Sequence, residues 1–118
     1  MFKKILFATT ASPTCDNAAK VAFDLELKWD AELIVFHVLG IPSRGYSPFV
    51  TDVRTGEIME PDPDYVEWVK EEMKNTYDVL LRDTEDVAIE AAVGVPYREI
   101  LRKARKEDVD VIIMGAHT

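Results

Sequence analysis

The chain has 118 residues, a length that suits a single domain with a sizeable hydrophobic core. Its formal net charge of −8 disfavours nucleic acid as a partner, because an acidic surface repels phosphate backbones. One cysteine excludes an intrachain disulfide, and no apolar run approaches the ~20 residues that span a bilayer, so we expect a cytoplasmic protein without a membrane partner.

Short apolar runs alternate with amphipathic segments along the chain. The runs at 5–8, 32–39, 87–93 and 111–114 are predicted strands, and their nearly continuous apolar character is typical of a parallel sheet covered on both faces. Helices are predicted at 13–29, from Pro63 and from Pro96, each with proline at a first position that needs no N–H. This β-α-β-α-β-α-β order indicates an α/β fold, a three-layer sandwich around a parallel sheet.

Each predicted helix has an apolar face at helical spacing. On the first helix it comprises Ala18, Val21 or Ala22, Leu25 and Trp29. On the second it comprises Val66, Val69, Met73, Tyr77 and Leu80, and on the third Tyr97, Ile100, Leu101 and Ala104. At this spacing Met73 and Tyr77 indicate core packing rather than a ligand-binding box.

The stretch 40–63 is the least regular part of the chain. At ~24 residues it exceeds the usual connection of ~4–6 residues. Two short β-like runs, 49–53 and 57–59, flank Arg54-Thr55-Gly56, a pattern that favours a small hairpin with glycine in the left-handed position. A disordered excursion is an equally open interpretation.

The loops after the first and fourth predicted strands form a candidate ligand site. In open α/β sheets, ligands bind beyond the carboxyl ends of strands, where the winding reverses. Ala8 and Val38 would supply apolar walls for a flat base, and the hydroxyls of Thr9 and Thr10 would reach a ribose. Gly115 follows the fourth strand directly, at a point where a backbone loop can cradle phosphates.

The remaining reactive side chains give little support to catalysis or metal binding. His37 is interpreted as a core or edge histidine and His117 as a surface residue, and no second His or Cys stands at zinc-ligand spacing. Cys15 lies in the first turn of a predicted helix, where a thiolate is favoured, but no general base is near it in sequence. No nucleophile motif, complete P-loop or full dinucleotide fingerprint is present.

Four segments resemble those of the universal stress protein (UspA-type) family. Residues 3–12 resemble its opening strand and loop, and 33–38, ending in His-Val, resemble its second strand. Residues 93–100 resemble its G-x-P-x-x-x-I segment, and 110–117 resemble its D-hydrophobic-MG-S-H segment. The resemblance covers the chain apart from 40–63.

The resemblance implies a Rossmann-like fold with strand order 3-2-1-4-5, of which the fifth strand is missing here and 3-2-1-4 remains. It also implies a homodimer and an ATP cofactor, accompanied by Mg²⁺ or Mn²⁺. Carried over by position, the nucleotide-binding residues are Ala8, Thr9, Thr10, Val38, Met114, Gly115 and His117.

Two departures from the family pattern shape the functional hypotheses. Thr10-Ala11-Ser12 replaces the family's D-G-S, and Thr118 stands at the second glycine of its G-x-x-G loop. We therefore expect a single domain over 1–118, C-terminally truncated, acting as a stress-response module with weakened or incomplete ATP binding. The alternative is a fully ATP-binding stress protein whose glycine-rich loop lies beyond residue 118. An enzyme of the wider adenine-nucleotide hydrolase group is disfavoured by Thr10, and at most slow ATP hydrolysis is expected.

Overall fold

A computed structural model describes residues 2–9, 15–40, 50–51, 58–59, 63–84 and 86–115. Within these ranges the strands are β1 (Lys4–Ala8), β2 (Glu32–Gly40), β3 (Val50–Thr51), β4 (Ile58–Met59), β5 (Val87–Gly94) and β6 (Val111–Met114). The helices are α1 (Asp16–Trp29), α2 (Pro63–Thr76), α3 (Asp78–Leu81) and α4 (Pro96–Lys106). The four predicted strands correspond to β1, β2, β5 and β6.

The four long strands run parallel in the order β5-β2-β1-β6. In the register, Ile5 of β1 lies between Leu33 of β2 and Val111 of β6. This confirms the α/β fold class and the strand order 3-2-1-4, counted along the predicted strands. Within the described ranges β6 pairs only with β1, so it forms an edge of this sheet.

Two very short strands extend the sheet beside the end of β2. β3 pairs antiparallel with β4 through Val50↔Met59 and Thr51↔Ile58, and Thr51 also pairs with Gly40. This antiparallel pairing agrees with the hairpin that the sequence suggested. The predicted turn at residues 54–56 lies outside the described residues.

Side chains that alternate along the strands divide the core into two layers. Ile5 and Phe7 point to the face covered by α1 and α2, and both are fully buried. Leu6, Ile34 and Phe36 point to the other face, which α4 covers. A parallel sheet packed on both faces explains why the strand sequences are almost continuously apolar.

The predicted apolar face of α2 is confirmed at its centre. Val69, Met73 and Tyr77 are buried, and the ring of Tyr77 lies 6.0 Å, centroid to centroid, from the rings of both Phe7 and Phe23. Met73 and Tyr77 are therefore core residues, as the spacing indicated. The helical pattern is interrupted at Tyr77 and resumes in the short α3.

The predicted apolar face of α1 is confirmed except at Val21, which is 50% exposed. Ala22, the alternative to Val21, is fully buried, and Ala18, Leu25 and Trp29 pack partly buried against the core. The buried strip also includes Ala19, Phe23 and Glu26, which the sequence did not assign. Burial of Glu26 is supported by the main-chain N–H of Asp86, which donates to its Oε1 at 3.4 Å, a partner 60 positions away that helical periodicity does not reveal.

The predicted stripe of α4 is half wrong. Ile100 and Ala104 pack against the second core layer, but Tyr97 and Leu101 are 56% and 46% exposed. The described residues cover only one strip of this helix, because it lies against β2 and β5. The Tyr97 ring instead makes a cation–π contact with the guanidinium of Arg98, whose Cζ lies 5.7 Å from the ring centroid.

Candidate functional site

A cavity of about 240 Å³ opens at the carboxyl ends of β1, β2 and β6. Five of the residues singled out from the sequence line it: Ala8, Thr9, Val38, Met114 and Gly115. They lie at the ends of three neighbouring parallel strands, the location where open α/β sheets bind ligands. Thr10 and His117, the other two predicted site residues, lie outside the described residues.

Sequence reasoning did not assign the other side of this cavity. Its wall is completed by Cys15, Phe36, His37, Pro96 and Ile100. Pro96 and Ile100 belong to the first half of α4, and only the resemblance of segment 93–100 to a family motif gave a signal for them. With six aliphatic or aromatic side chains in the lining, the cavity suits a flat, weakly polar group.

Thr9 is held by three hydrogen bonds at the end of β1. Its N–H donates to the carbonyl oxygen of Phe36 at 2.9 Å, and its own carbonyl lies 2.7 Å from Nδ1 of His37. Its hydroxyl is hydrogen-bonded to the hydroxyl of Tyr77. The expectation that this hydroxyl would reach a ribose stays a prediction, and the structure adds that the hydroxyl is already bonded to Tyr77 beneath β1.

His37 is a buried core histidine, as the sequence indicated. Only 1% of it is exposed, and it forms part of the cavity lining. A carbonyl oxygen can only accept, so the contact with Thr9 requires the proton to be on Nδ1. This bond orients the imidazole and joins β2 to the end of β1.

Cys15 lies at the start of α1 and lines the cavity with a side chain that is only 4% exposed. The sequence predicted a position in the first turn, and the structure has Cys15 one residue earlier, as the N-cap that directly precedes α1. The structure places it in the same cavity as His37, whose Nδ1 is engaged with the main chain of Thr9. Cys15 is therefore a buried residue of the cavity wall, and its surroundings give no additional support to a nucleophilic role.

Two kinds of feature are not found in the described part of the chain. No group of three or more His, Cys, Asp or Glu side chains there is arranged to hold a metal ion. No helix there has the length and apolar character that crossing a bilayer requires.

Among the described residues, the groups with clearly shifted pKa values lie at the amino-terminal ends of β1 and β6, at the end of the sheet opposite to the cavity. Nζ of Lys4 is 2.9 Å from Oε2 of Glu107, and this hydrogen bond raises the pKa of Lys4 and lowers that of Glu107. The pKa of Asp110 is lowered because its Oδ2 accepts from the main-chain N–H groups of Lys3 and Lys4, at 2.7 and 3.0 Å. These interactions connect the start of β1 to the residues that precede β6, at the end of the sheet away from the cavity.

Comparison with known families gives one match over the whole chain. A model of the universal stress protein family matches residues 1–118. The match includes the segments that form the cavity.

Two relatives come from Methanocaldococcus jannaschii. Universal stress protein MJ0577 is 31% identical over 126 residues, an alignment that covers 99% of this chain and 78% of that protein. Universal stress protein MJ0531 is 30% identical over 121 residues, covering 98% of this chain and 65% of that protein. The chain thus spans just under two thirds of the second relative.

Solved structures share the fold. The universal stress protein UspA from Lactobacillus plantarum superposes with a TM-score of 0.70 at 18% identity, over 98% of this chain and 77% of that one. A universal stress protein in complex with cAMP superposes with a TM-score of 0.64 at 15% identity, over 95% of this chain and 75% of that one. At these identities the likeness shows the fold.

Proposed function

Because the chain belongs to the universal stress protein family, we propose that it is a stress-response module that binds an adenine nucleotide in the cavity at the carboxyl ends of β1, β2 and β6. The observation that carries the proposal is the convergence of five residues on one largely apolar cavity: Ala8, Thr9, Val38, Met114 and Gly115. The resemblance had implied a nucleotide at these positions. A structurally similar family member that was solved with cAMP supports an adenine ligand.

The base would lie against Ala8 and Val38. In a parallel strand, alternate residues direct their peptide groups to alternate neighbours, and the carbonyl of Phe36 accepts from Thr9 on the β1 side. The peptide groups of Val38 should face the same side, just beyond the end of β1. We expect them to bond the edge of the base, while the apolar side chains pack on its faces.

The role proposed for this site is regulatory, with ATP bound weakly. Thr10 stands where the family pattern has a carboxylate, and Thr118 stands where it has the second glycine of the phosphate loop. Any Mg²⁺ or Mn²⁺ would then be bound together with the phosphates of the nucleotide.

Isothermal titration of the 118-residue chain with ATP, with and without Mg²⁺, and with cAMP tests the proposal. We expect saturable binding of adenine ligands with dissociation constants for ATP above the micromolar range. Micromolar binding of ATP would overturn the weak-binding part of the proposal. If neither ATP nor cAMP bound, the proposed function would be wrong.

A pair of matched substitutions locates the binding. Ala8→Leu places three more carbon atoms in the cavity and should weaken an adenine ligand by about tenfold or more, a loss of about 1.4 kcal/mol or more. Ala88→Leu makes the same change at an exposed position of β5 that pairs with Ile34, outside the cavity lining, and should leave affinity unchanged. Equal effects of the two substitutions would place the ligand elsewhere.

We also propose that the chain functions in the cytoplasm as a homodimer, as its resemblance to the family implies. The exposed edge of β6 and the exposed Met114 are compatible with association. Light scattering during size-exclusion chromatography tests this, and a monomer at all accessible concentrations would contradict it.

A further inference from the structure

The lining of the cavity carries no cationic side chain among its ten described residues. Its most polar members are Thr9 and His37, and the contact between the Thr9 carbonyl and Nδ1 of His37 joins them to each other. The volume of about 240 Å³ is below the ~300–1,000 Å³ typical of pockets that enclose a drug-sized ligand. The space and its polarity match a base with part of its sugar better than a complete triphosphate.

A lysine does lie behind one wall, but its charge is already balanced. Nζ of Lys103 is 5.9 Å from the centroid of the Phe36 ring, and Phe36 lines the cavity. The same Nζ lies 2.7 Å from Oε1 of Glu90 and 3.4 Å from Oε1 of Glu107. Glu107 is shared with Lys4, but the close ion pair with Glu90 still balances the charge of Lys103 and weakens its attraction for a phosphate.

The arginines of α4 point away from the cavity. Pro96 and Ile100 form the strip of the helix that faces it. Arg98 and Arg102 lie about half a turn away from that strip at ~100° per residue, in an outer surface that they share with Leu101. The net positive charge of this helix is therefore presented to solvent rather than to the ligand.

The two helix N-termini that reach the cavity carry their own acids. A helix N-terminus attracts anions through its unpaired N–H groups and its dipole. Cys15 and Pro96 bring the starts of α1 and α4 to the cavity, but Asp16 lies in the first turn of α1 and Glu99 in the first turn of α4. Glu99 is ion-paired with Arg102, whose Nη1 lies 3.2 Å from its Oε1, so its charge is largely balanced. Asp16 complements the dipole of α1 and would repel an incoming phosphate.

The sequence next to the site adds no basic residue. Segments 10–14 and 116–118, which follow β1 and β6 along the chain, contain no Lys or Arg. The net charge of −8 is concentrated between Asp52 and Glu90, and the rest of the chain, which supplies the cavity lining, is close to neutral. A ligand with several negative charges therefore meets no compensating positive surface there.

Taking the proposed adenine site as given, we infer that this chain selects the nucleoside part of its ligand, and that each phosphate added to an adenine nucleoside weakens binding. Its preferred ligand is an adenine nucleoside carrying little or no negative charge. The apolar cavity supplies the affinity, while the lack of a cation in its described lining and the carboxylate of Asp16 at the start of α1 disfavour polyanions.

A charge series of ligands tests the inference on the 118-residue chain, with adenosine, AMP and ATP titrated calorimetrically in the absence of divalent cations. We expect the dissociation constant to rise in that order at an ionic strength of about 0.01 M. At about 0.15 M the screening length falls from ~30 Å to ~8 Å, so ATP should bind more tightly than at low salt. Adenosine should respond little.

The outcomes separate this inference from the function on which it rests. Tighter binding of ATP than of adenosine, or an affinity for ATP that falls as salt rises, would overturn the inference and leave the adenine site in place. Failure of all three ligands to bind would overturn both.

A substitution at the start of α1 tests the electrostatic cause. Asp16→Asn should strengthen ATP binding by about sevenfold at low salt, the size expected for removing one charge about 10 Å from a tetra-anion in water with a screening length of ~30 Å, and leave adenosine unchanged. Asp24→Asn removes the same charge from an exposed position of the same helix, ~12 Å further along it, and is the control. Thermal unfolding verifies that both variants are folded. Equal effects on ATP and adenosine, or equal effects of the two variants, would contradict local repulsion.

Discussion

Nδ1 of His37 lies 2.7 Å from the main-chain carbonyl oxygen of Thr9. The preceding residue of β2, Phe36, accepts the N–H of Thr9 through its own carbonyl. Thr9, which directly follows β1, is thus bonded to β2 twice, once through the main chain of Phe36 and once through the imidazole of His37. Because both residues line the cavity, these bonds determine the shape of its wall.

Two substitutions of His37 should distinguish the stabilisation that comes from its hydrogen bond from the stabilisation that comes from packing of its ring. His37→Ala removes a fully buried side chain and leaves the Thr9 carbonyl without this donor, so we expect a loss of about 2–4 kcal/mol in the free energy of unfolding. His37→Asn places an amide N–H near the position of Nδ1 and should lose clearly less. Urea unfolding followed by circular dichroism measures both. Equal losses would mean that the hydrogen bond contributes nothing beyond packing.

The hydroxyl pair of Thr9 and Tyr77 should be energetically coupled. Both residues are buried, and their hydroxyls are hydrogen-bonded. In a double-mutant cycle of Thr9→Val and Tyr77→Phe, the double variant should be more stable than the sum of the single losses predicts, by about 1 kcal/mol. Thr84→Val is a suitable control, since the Thr84 hydroxyl donates to the carbonyl of Leu81.

The control cycle of Thr84→Val with Tyr77→Phe should be additive within ~0.5 kcal/mol. Additivity in the Thr9 cycle as well would show that the two hydroxyls stabilise the fold independently. Both cycles use urea unfolding at one pH, so that changes in ionisation do not enter the comparison.

The strands and their order could be predicted because the signal is local and repeated. Runs such as 5–8 and 111–114 are too short and too apolar for surface helices, and a parallel order follows from their alternation with helices. The convergence of Ala8 and Gly115 then follows from the topology alone. Their contact with a ligand is a prediction that stays open to the titrations above.

The orientation of the helices could not be predicted to the same degree. Periodicity locates an apolar strip, but which side faces the sheet depends on distant partners. Glu26 is buried because the chain at Asp86 offers it an N–H, and Leu101 is exposed because the described residues do not cover that side of α4. The same dependence hid the contribution of Ile100 to the cavity, since it requires α4 to cross the end of β2.

The side chain of Glu99 closely approaches Gly94. A Cβ built on Gly94 would lie 2.5 Å from Cγ of Glu99, which is too close for any real contact. Gly94→Ala should therefore lower the free energy of unfolding by about 1–3 kcal/mol as the side chain of Glu99 is displaced. In a Glu99→Ala background the same substitution should cost much less, which urea unfolding of the four proteins would show.

This pair also has a bearing on the cavity, because Gly94 is followed within two residues by Pro96 of its wall. A Gly94→Ala loss that persisted in full after Glu99→Ala would assign the requirement to the backbone at Gly94 instead of to the side-chain contact.

Asp110 should make the stability of the protein depend on pH. Its pKa is lowered from the ordinary value of 3.8 because its Oδ2 accepts the N–H groups of Lys3 and Lys4 in the folded state. Between the folded and unfolded pKa values, the unfolded state binds more protons, so stability rises with pH there. The contribution is complete above the unfolded pKa and is lost as pH falls through the folded one.

Asp110→Asn removes the titrating group and retains an oxygen that can accept from the two N–H groups. The urea midpoint of the unsubstituted protein should therefore fall more steeply than that of the variant as pH is lowered through and below 3.8. Asp24→Asn, at an exposed position of α1, should retain the steep fall. Parallel pH profiles for the unsubstituted protein and Asp110→Asn would contradict this prediction. They would mean that the pKa of Asp110 is the same in the folded and unfolded states, so that folding changes no proton binding at this carboxylate.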